Sequence, residues 1–312
     1  MLNLEYIHPI PISRYARLLT WLMLKLRIKR ELTGWDRKTP IRQKPAGVPW
    51  LFKALCRHAY TSEKDHFNQR EVWTLTPTLK PPRQTIFYLH GGAYVFNLSS
   101  FHWRFLSRLC HHTQARIVIP DYPLVPHAQC EEVYDFLEAL YEEVQARYVS
   151  TSMVLMGDSA GGGLALGLGQ RMNIRQRPQP AQVILFSPWL DVTLTNTHIQ
   201  RLEEVDPLLD RAALVRAGEA YRGHLEARDP RVSPLYGEMS SLGKLSIFVS
   251  THDLLWPDCL ALREMLQRQG IAHNYFEYPQ LFHVWMMVVS LSEARHAMYQ
   301  IVELLTAQEA HM

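Results

Sequence analysis

From residue 70 onward, short apolar runs rich in β-branched residues alternate with longer segments of helical periodicity. The runs predict strands at 71–77, 85–90, 115–122, 152–157, 181–188, 244–253 and 273–279. The segments between them predict helices at 101–111, 131–147, 160–171, 257–269 and 291–306. Strands that alternate with helices form a mostly parallel sheet with both faces covered. The predicted fold class is therefore α/β.

Two parts of the chain depart from this alternation. Residues 191–230 follow a strand, but they contain only helix and loop patterns, and the next strand begins at 244. An excursion of that length is more typical of a small cap than of a plain crossover. Near the N-terminus, apolar residues at helical spacing predict one helix within 13–30 and a second, short one at 50–60.

Charge is distributed unevenly along the chain. The net charge of +3 is too small to indicate a nucleic-acid-binding surface, and no nucleic acid partner is expected. Residues 1–44 nevertheless carry ten Lys and Arg against three acidic residues. A basic, apolar helix can lie on an anionic membrane surface, although such a helix more often covers its own protein. Membrane contact is therefore the less favoured alternative.

Several absences in the sequence favour an intracellular protein. The apolar run at 18–24 is seven residues long, whereas about 20 are needed to span a bilayer. The first residues lack the basic region and the cleavage site of a secretory signal. Cys56, Cys110, Cys130 and Cys259 have no paired spacing, which is typical of reduced thiols. The prediction is a cytoplasmic protein.

The stretch "LMGDSAGGG" at 155–163 lies between a predicted strand and a predicted helix. Gly157, Ser159 and Gly161 match the G-x-S-x-G pattern, in which a serine nucleophile sits on a strained turn between small neighbours. The helix that follows directs free N–H groups at developing negative charge. The pattern alone is weak, because a tightly packed strand-to-helix turn also needs small residues. Its position at a strand end strengthens it.

A serine hydroxyl needs a base to accept its proton and an acid to orient that base. Asp253 and His283 follow Ser159 in the order Ser, Asp, His, and each comes just after a predicted strand. Alternative interpretations are a core histidine at 283 and a helix N-cap at 253. Asp258 is a competing acid, but it falls in the first turn of a predicted helix.

The predicted strand at 85–90 runs into "HGGAY". An acyl-transfer intermediate needs backbone N–H donors for its oxyanion, and glycines let the backbone approach the substrate closely. Gly91, Gly92 and Ala160, the residue after the serine, are the predicted donors. A tight turn after a strand is the alternative explanation for the two glycines. Two glycine-rich loops at strand ends, in the expected order, favour an oxyanion hole.

The motifs "HGGAY", "DYPLVPHA", "GDSAGGG", "SPWLDVT", "DPRVSPLYG", "THDLLWPD" and "FHVW" resemble, in order, the landmarks of the hormone-sensitive-lipase-like branch of α/β-hydrolases. The resemblance covers residues ~70–312. It implies an α/β-hydrolase fold with an eight-stranded core, and a triad of Ser159, Asp253 and His283. His90 and Asp158 would be structural members of their loops.

The resemblance also divides the chain. It implies an N-terminal helical cap segment at 1–65, a first core part at 66–190, an inserted cap segment at 191–230 and a second core part at 231–312. Three residues depart from the usual pattern: Ala93, Thr251 and Val284 stand where glycine is common. None of these departures removes a catalytic group.

The expected function is a serine carboxylesterase that hydrolyses short-chain acyl esters through an acyl-enzyme. Alternatives are an amidase or formamidase of the N-formylkynurenine type on the same triad and, less favoured, a non-catalytic ligand receptor. The reaction needs no cofactor, and the scattered histidines, His111 and His112 among them, have no metal-ligand spacing. Related enzymes often pair, so a homodimer stays open.

Overall fold

The computed structural model of the chain describes residues 3–26, 28–29 and 59–306. Its strands are β1 (Leu4–Ile7), β2 (Tyr60–Phe67), β3 (Arg70–Pro77), β4 (Gln84–Leu89), β5 (Arg116–Pro120), β6 (Ser152–Asp158), β7 (Gln182–Phe186), β8 (Lys244–Ser250) and β9 (His273–Tyr278). Its α-helices are α1 (Arg14–Leu26), α2 (Ser100–Thr113), α3 (Cys130–Arg147), α4 (Ala160–Ile174), α5 (Arg211–Arg222), α6 (Trp256–Arg268) and α7 (Ser292–Thr306). All seven strands predicted from the apolar runs are confirmed.

The nine strands form one sheet in the order β1-β9-β8-β7-β6-β4-β5-β3-β2. Every neighbouring pair is parallel except β5 with β3 and β3 with β2. From β4 the chain moves to β5 on one side, and from β6 it moves through β7 to β9 on the other. The order of the strands therefore reverses between β4 and β6. Ligands of open α/β sheets bind at the carboxyl ends of the strands at such a point.

Helices cover both faces of the sheet and bury it. One core cluster joins the sheet to α3, α4, α5 and α6, and the other joins it to α1, α2 and α7. Strand β4 is buried at all six positions, and β7 at all five. Strands buried on both faces need continuous apolar sequence rather than alternation. This explains why the apolar runs predicted them.

The expected eight-stranded core is wrong by one strand, because nine strands pair in the described residues. Neither of the two unpredicted strands has an apolar pattern. Strand β1 has only four residues, of which Tyr6 is half-buried and the other three are exposed. Strand β2 reads YTSEKDHF, and only Tyr60 in it is buried. Both are edge strands, and each is held by its neighbour's backbone rather than by a buried side-chain face. Residues 50–58 of the helix predicted at 50–60 lie outside the described part, and Tyr60 begins β2.

The predicted N-terminal helix is confirmed as α1. Its residues Ala16 and Met23 are buried in the core cluster shared with α2 and α7. Ser13, which precedes the helix, donates hydrogen bonds to the Glu293 carboxylate through both its N–H and its hydroxyl. Within 3–26, 28–29 and 59–306, no helix combines the length and the apolar character needed to cross a membrane.

Residues 191–230 contain no strand. They hold a 3₁₀ turn at Ile199–Leu202 and helix α5, and the sheet resumes only with β8. Helix α5 lies against the loop that follows β4, because the rings of Tyr221 and Tyr94 stack with centroids 3.7 Å apart. The segment is therefore packed beside the strand ends that carry the predicted site.

Three of the four cysteines fall in the described part of the chain, and they are free and buried. Burial raises the pKa of Cys110 and of Cys130 to about 12. These thiols are therefore protonated at neutral pH and are poor nucleophiles. Cys56 lies outside the described residues.

Candidate active site

Ser159 occupies a sharp turn between β6 and α4. Its backbone has φ 53° and ψ −122°, a conformation that non-glycine residues adopt only under strain. The turn depends on its small neighbours. A Cβ on Gly157 would lie 2.2 Å from the Gly161 carbonyl oxygen, and one on Gly161 would lie 2.1 Å from the Leu89 oxygen. The glycines flanking the serine are thus explained by contacts that admit no side chain.

Asp253 and His283 are brought together from the loops that follow β8 and β9. The His283 Nδ1–H donates to Asp253 Oδ2 at 2.9 Å, and the Asp253 side chain is fully buried. A neutral imidazole with its proton on Nδ1 has Nε2 as an acceptor. Burial by itself lowers the pKa of His283, but the charge and hydrogen bond of Asp253 outweigh it, so the pKa lies above its ordinary value.

Asp258, the competing acid, lies elsewhere. Its Oδ1 accepts a hydrogen bond from Asn196 Nδ2 at 3.0 Å, while its Oδ2 is buried without a partner among the described residues. The helix N-cap explanation of Asp253 also fails, because α6 begins at Trp256 with Leu255 at the cap. Of the two carboxylates, Asp253 is the one that orients an imidazole.

Two hydrogen bonds and one charge effect link the histidine loop to the serine turn. The Val284 N–H donates to Ser187 Oγ at 3.4 Å, and Ser187 follows Phe186, whose carbonyl accepts the Ser159 N–H at 2.9 Å. The charge of Asp158, next to the serine, also raises the pKa of His283. The serine, the imidazole and the carboxylate therefore lie at the same edge of the sheet.

The loop after β4 lies against the serine turn and is held rigidly. A Cβ on Gly91 would lie 3.0 Å from the Ser159 Cβ. The Tyr122 hydroxyl donates to the His90 carbonyl at 2.6 Å, and the Gly91 N–H donates to Asp158 Oδ1 at 2.9 Å. Both ends of the peptide unit between His90 and Gly91 are therefore fixed.

The next peptide unit is oriented by the His90 ring. Its Nδ1–H donates to the Gly91 carbonyl at 2.7 Å, and in a trans peptide this directs the Gly92 N–H the opposite way. Burial, with help from His102, lowers the pKa of His90 to about 4, so the ring is neutral at physiological pH. No residue in the described parts accepts a hydrogen bond from the N–H of Gly92 or of Ala160.

His102 is a residue of this network that the sequence analysis missed. Its Nδ1 accepts from the Ser99 N–H at 3.0 Å, which places the proton on Nε2, and Nε2 lies 3.3 Å from Asp158 Oδ2. Burial raises the pKa of Asp158, but His102 and the hydrogen bonds from Tyr88 and Gly91 outweigh it and lower the pKa. Asp158 is an ionised brace between the two glycine-containing loops. The helical position of His102 gave no sign of this contact.

The three departures from glycine are accommodated in the structure. Thr251 Oγ1 accepts the Gln280 N–H at 3.0 Å and so ties the loop after β8 to the loop after β9. Ala93 and Val284 both have positive φ, 53° and 47°. A β-branched residue is unusual in that region, so the loop around Val284 carries strain that glycine would not.

No group of three or more His, Cys, Asp or Glu side chains able to hold a metal ion occurs in the residues that the structure describes. His111 and His112 are exposed on α2.

The chain matches the family model described as the alpha/beta hydrolase fold over residues 86–287. It belongs to the alpha/beta hydrolase fold family. An esterase of Acinetobacter venetianus is 29% identical over 232 residues, which are 72% of this chain and 75% of that protein. An acetyl-hydrolase of Streptomyces hygroscopicus is 30% identical over 211 residues, which are 66% of this chain and 71% of the relative.

Solved structures share the fold of this alpha/beta hydrolase over nearly its whole length. A crystal structure of an esterase from the bacterial hormone-sensitive lipase family has a TM-score of 0.80 and 24% identity, covering 96% of this chain and 99% of that one. The crystal structure of an esterase/lipase from an uncultured bacterium has a TM-score of 0.80 and 21% identity, with the same coverage of both chains. The α/β-hydrolase fold implied by the sequence motifs is confirmed.

Proposed function

We propose that this alpha/beta hydrolase is a serine carboxylesterase with Ser159 as nucleophile, His283 as general base and Asp253 as the acid that orients it. The observation that carries the proposal is the 2.9 Å hydrogen bond from His283 Nδ1 to Asp253, at the same sheet edge as the strained Ser159 turn. Its curated relatives described above are an esterase and an acetyl-hydrolase, which favours ester over amide substrates.

The reaction follows from these groups. His283 Nε2 accepts the proton of Ser159 as the Ser159 Oγ attacks the ester carbonyl carbon, and the carbonyl oxygen becomes an oxyanion. When the intermediate collapses, the C–O bond to the alcohol breaks, and His283 returns the proton to the leaving alcohol. Water then attacks the acyl-enzyme by the same route and releases the acid.

The proposed oxyanion donors are the N–H groups of Gly92 and Ala160. Both lack an acceptor within the described residues, and Ala160 is the first residue of α4, where helical N–H groups are free. Gly91 was predicted as a third donor, but its N–H is directed at Asp158. We therefore propose that Gly91 acts by its missing side chain, which lets the loop approach Ser159.

Residues 191–230, together with the part of the predicted N-terminal cap segment 1–65 that lies outside the sheet strands β1 and β2, are proposed to form the cap that closes the acyl pocket. The stacking of Tyr221 in α5 on Tyr94 supports this. It joins the inserted segment to the loop after β4, called the oxyanion loop here because it carries the proposed donor Gly92. A closed pocket favours short acyl groups. Activity measured on 4-nitrophenyl esters from C2 to C16 tests the claim, and a maximum at C12 or longer would contradict it.

A fluorophosphonate probe tests the nucleophile directly, because only an activated serine reacts with it. Wild-type protein is expected to be labelled once, and Ser159→Ala is expected to lose both labelling and turnover while its melting temperature changes little. Ser107→Ala is the matched control. Ser107 lies on α2, away from the strand ends that carry the site, and its buried hydroxyl bonds the hydroxyl of Tyr60 on β2. Labelling of Ser159→Ala would refute the assignment.

A cytoplasmic location, a homodimer and contact of α1 with a lipid surface remain proposals. Helix α1 exposes Tyr15, Leu18 and Trp21 by about half, and Leu26 by 70%, so it presents an apolar stripe that could meet another surface. Sedimentation of the purified protein alone tests for the homodimer, and sedimentation with anionic vesicles tests for contact with a lipid surface. A monomer that stays in the supernatant would exclude both.

A further inference from the structure

Asp206 is a buried carboxylate that the mechanism above does not use. It lies in the inserted segment, between the 3₁₀ turn at Ile199–Leu202 and α5, and is 0% exposed. Its Oδ1 accepts the N–H groups of Leu208 at 2.8 Å and of Leu209 at 3.0 Å. Its Oδ2 accepts the N–H of Leu254 at 2.8 Å.

The bond to Leu254 connects Asp206 to the proposed catalytic acid, because Leu254 directly follows Asp253. The same peptide unit is held at its other end, where the Asp253 carbonyl accepts the Trp256 N–H at 3.0 Å. Asp253 Oδ1 accepts the Leu255 N–H at 2.9 Å, which leaves Oδ2 for His283. The backbone that carries Asp253 is therefore oriented by a carboxylate from the inserted segment.

Asp206 also acts on the pair through its charge. Burial and the charge of Asp253 raise the pKa of Asp206 to about 6, against the opposing effects of His283 and the backbone N–H groups. In return, the charges of Asp253, Asp206 and Asp158 all raise the pKa of His283. At pH 8, Asp206 is thus a buried negative charge that acts on the Asp253–His283 pair.

We propose that Asp206 is a positioning residue of the esterase, which orients the Asp253 loop and places a second negative charge beside His283. This inference rests on the proposed function. Before attack, the His283 ring is neutral. Proton transfer from Ser159 to His283 puts a positive charge on the ring, which the negative charges of Asp253 and Asp206 stabilise. Asp206 thereby favours the transition state over the ground state.

Asp206→Asn keeps the shape of the side chain but removes the charge and one of its acceptor oxygens. At pH 8, kcat is expected to fall about tenfold or more, since a buried hydrogen bond to a charged group and a nearby charge are both lost, while KM changes little. The acid-side midpoint of kcat/KM is expected to move to lower pH, because removing the negative charge lowers the pKa of His283.

Asp210→Asn is the matched control. Asp210 belongs to the same segment and accepts a backbone N–H, that of Ala213 at 2.8 Å, as the N-cap of α5. Asparagine caps a helix as well as aspartate does, so its kcat and pH midpoint should equal those of the wild type. A merely structural role of Asp206 would lower the melting temperature and leave the midpoint unchanged.

The proposal is overturned if folded Asp206→Asn has the wild-type kcat and the wild-type acid-side midpoint. Should that variant fail to fold, Asp206→Ser retains a short acceptor for the Leu208 N–H without the charge, and the same two outcomes apply to it. Failure of the proposed function is a separate result, because it would appear as full activity in Ser159→Ala. An inactive Ser159→Ala beside an unaltered Asp206→Asn would refute only the role of Asp206.

Discussion

Replacement of Asp258 by asparagine is expected to stabilise the protein at alkaline pH while leaving its esterase activity intact. Asp258 is 2% exposed, and its Oδ2 has no partner among the residues that the structure covers. Burial raises the pKa of Asp258 to about 7; the hydrogen bond from Asn196 opposes this rise and the charge of Asp191 adds to it. The folded protein therefore disfavours the ionised form of the Asp258 carboxyl, because its charge would be buried.

The magnitude follows from the difference between the folded pKa of about 7 and the ordinary value of 3.8. Between these values the folded protein binds the proton and the unfolded chain does not. The stability present below pH 3.8 is therefore lost as the pH rises through the folded pKa. At about 1.4 kcal/mol per pH unit, this one group lowers the free energy of unfolding by about 3 kcal/mol between pH 5 and pH 8. An amide at position 258 has no such dependence.

Urea unfolding, followed by tryptophan fluorescence at pH 5, 6, 7 and 8, measures the effect. The gain in unfolding free energy of Asp258→Asn over the wild type is expected to grow by about 3 kcal/mol from pH 5 to pH 8. Asp210→Asn, the same substitution at the N-cap of α5, is the matched control. A gain that stays constant across the four pH values would refute the reasoning.

The same variants also test which carboxylate is the catalytic acid. Asp258→Asn should retain kcat within about threefold, because Asp258 bonds Asn196 and not His283. Asp253→Asn should lower kcat by about 10⁴. Its amide oxygen takes the Oδ1 position that accepts the Leu255 N–H, so its NH₂ donates to His283 Nδ1 and holds the imidazole in the wrong tautomer. Loss of activity in Asp258→Asn with activity kept in Asp253→Asn would reverse the assignment.

Three further outcomes are expected. Gly91→Ala places a Cβ 2.3 Å from Asp158 Oδ2, so the oxyanion loop must shift and kcat/KM on a 4-nitrophenyl ester should fall about 100-fold; wild-type activity would contradict this. Tyr122→Phe leaves the His90 carbonyl without its 2.6 Å donor and should lower the free energy of unfolding in urea by about 1–3 kcal/mol. Equal stability would show that this hydrogen bond does not stabilise the loop after β4. Because the pKa of His283 is raised and only the neutral ring accepts a proton, the acid-side midpoint of kcat/KM should lie above 6.5, and a lower midpoint would dispute that rise.

The sequence predicted the fold well where burial leaves an apolar pattern and poorly where it does not. The buried central strands were all found, since each is a continuous apolar run between helices. Strands β1 and β2 were missed because edge strands in this sheet are mostly exposed. Their assignment depends on backbone pairing with β9 and β3, and local sequence carries no signal for that.

The candidate site divides in the same way. Gly157 and Gly161 could be identified from the sequence because a strained serine turn forces small residues at fixed spacing, and the structure shows the contacts that require them. In the sequence, Asp253 was favoured over Asp258 only by its position at a strand end, and its hydrogen bond to His283 is seen only in the structure. The roles of His102 and Asp206 had no local pattern, because each acts through a partner distant in the chain.

Local sequence determined the alternation of strands and helices, the glycine-rich turns and the chemical types placed at the strand ends, because each of these is a property of residues close together in the chain. Tertiary structure alone decided which of those groups meet. The Tyr88 hydroxyl reaches Asp158 across 70 positions, and the Asp206 carboxylate reaches the Leu254 N–H across 48. Hydrogen bonds and charges act over a few ångströms of space, whatever the distance along the chain. Only the packed sheet could therefore show that the loop after β4 and the loop after β8 are each held by a buried carboxylate, Asp158 and Asp206.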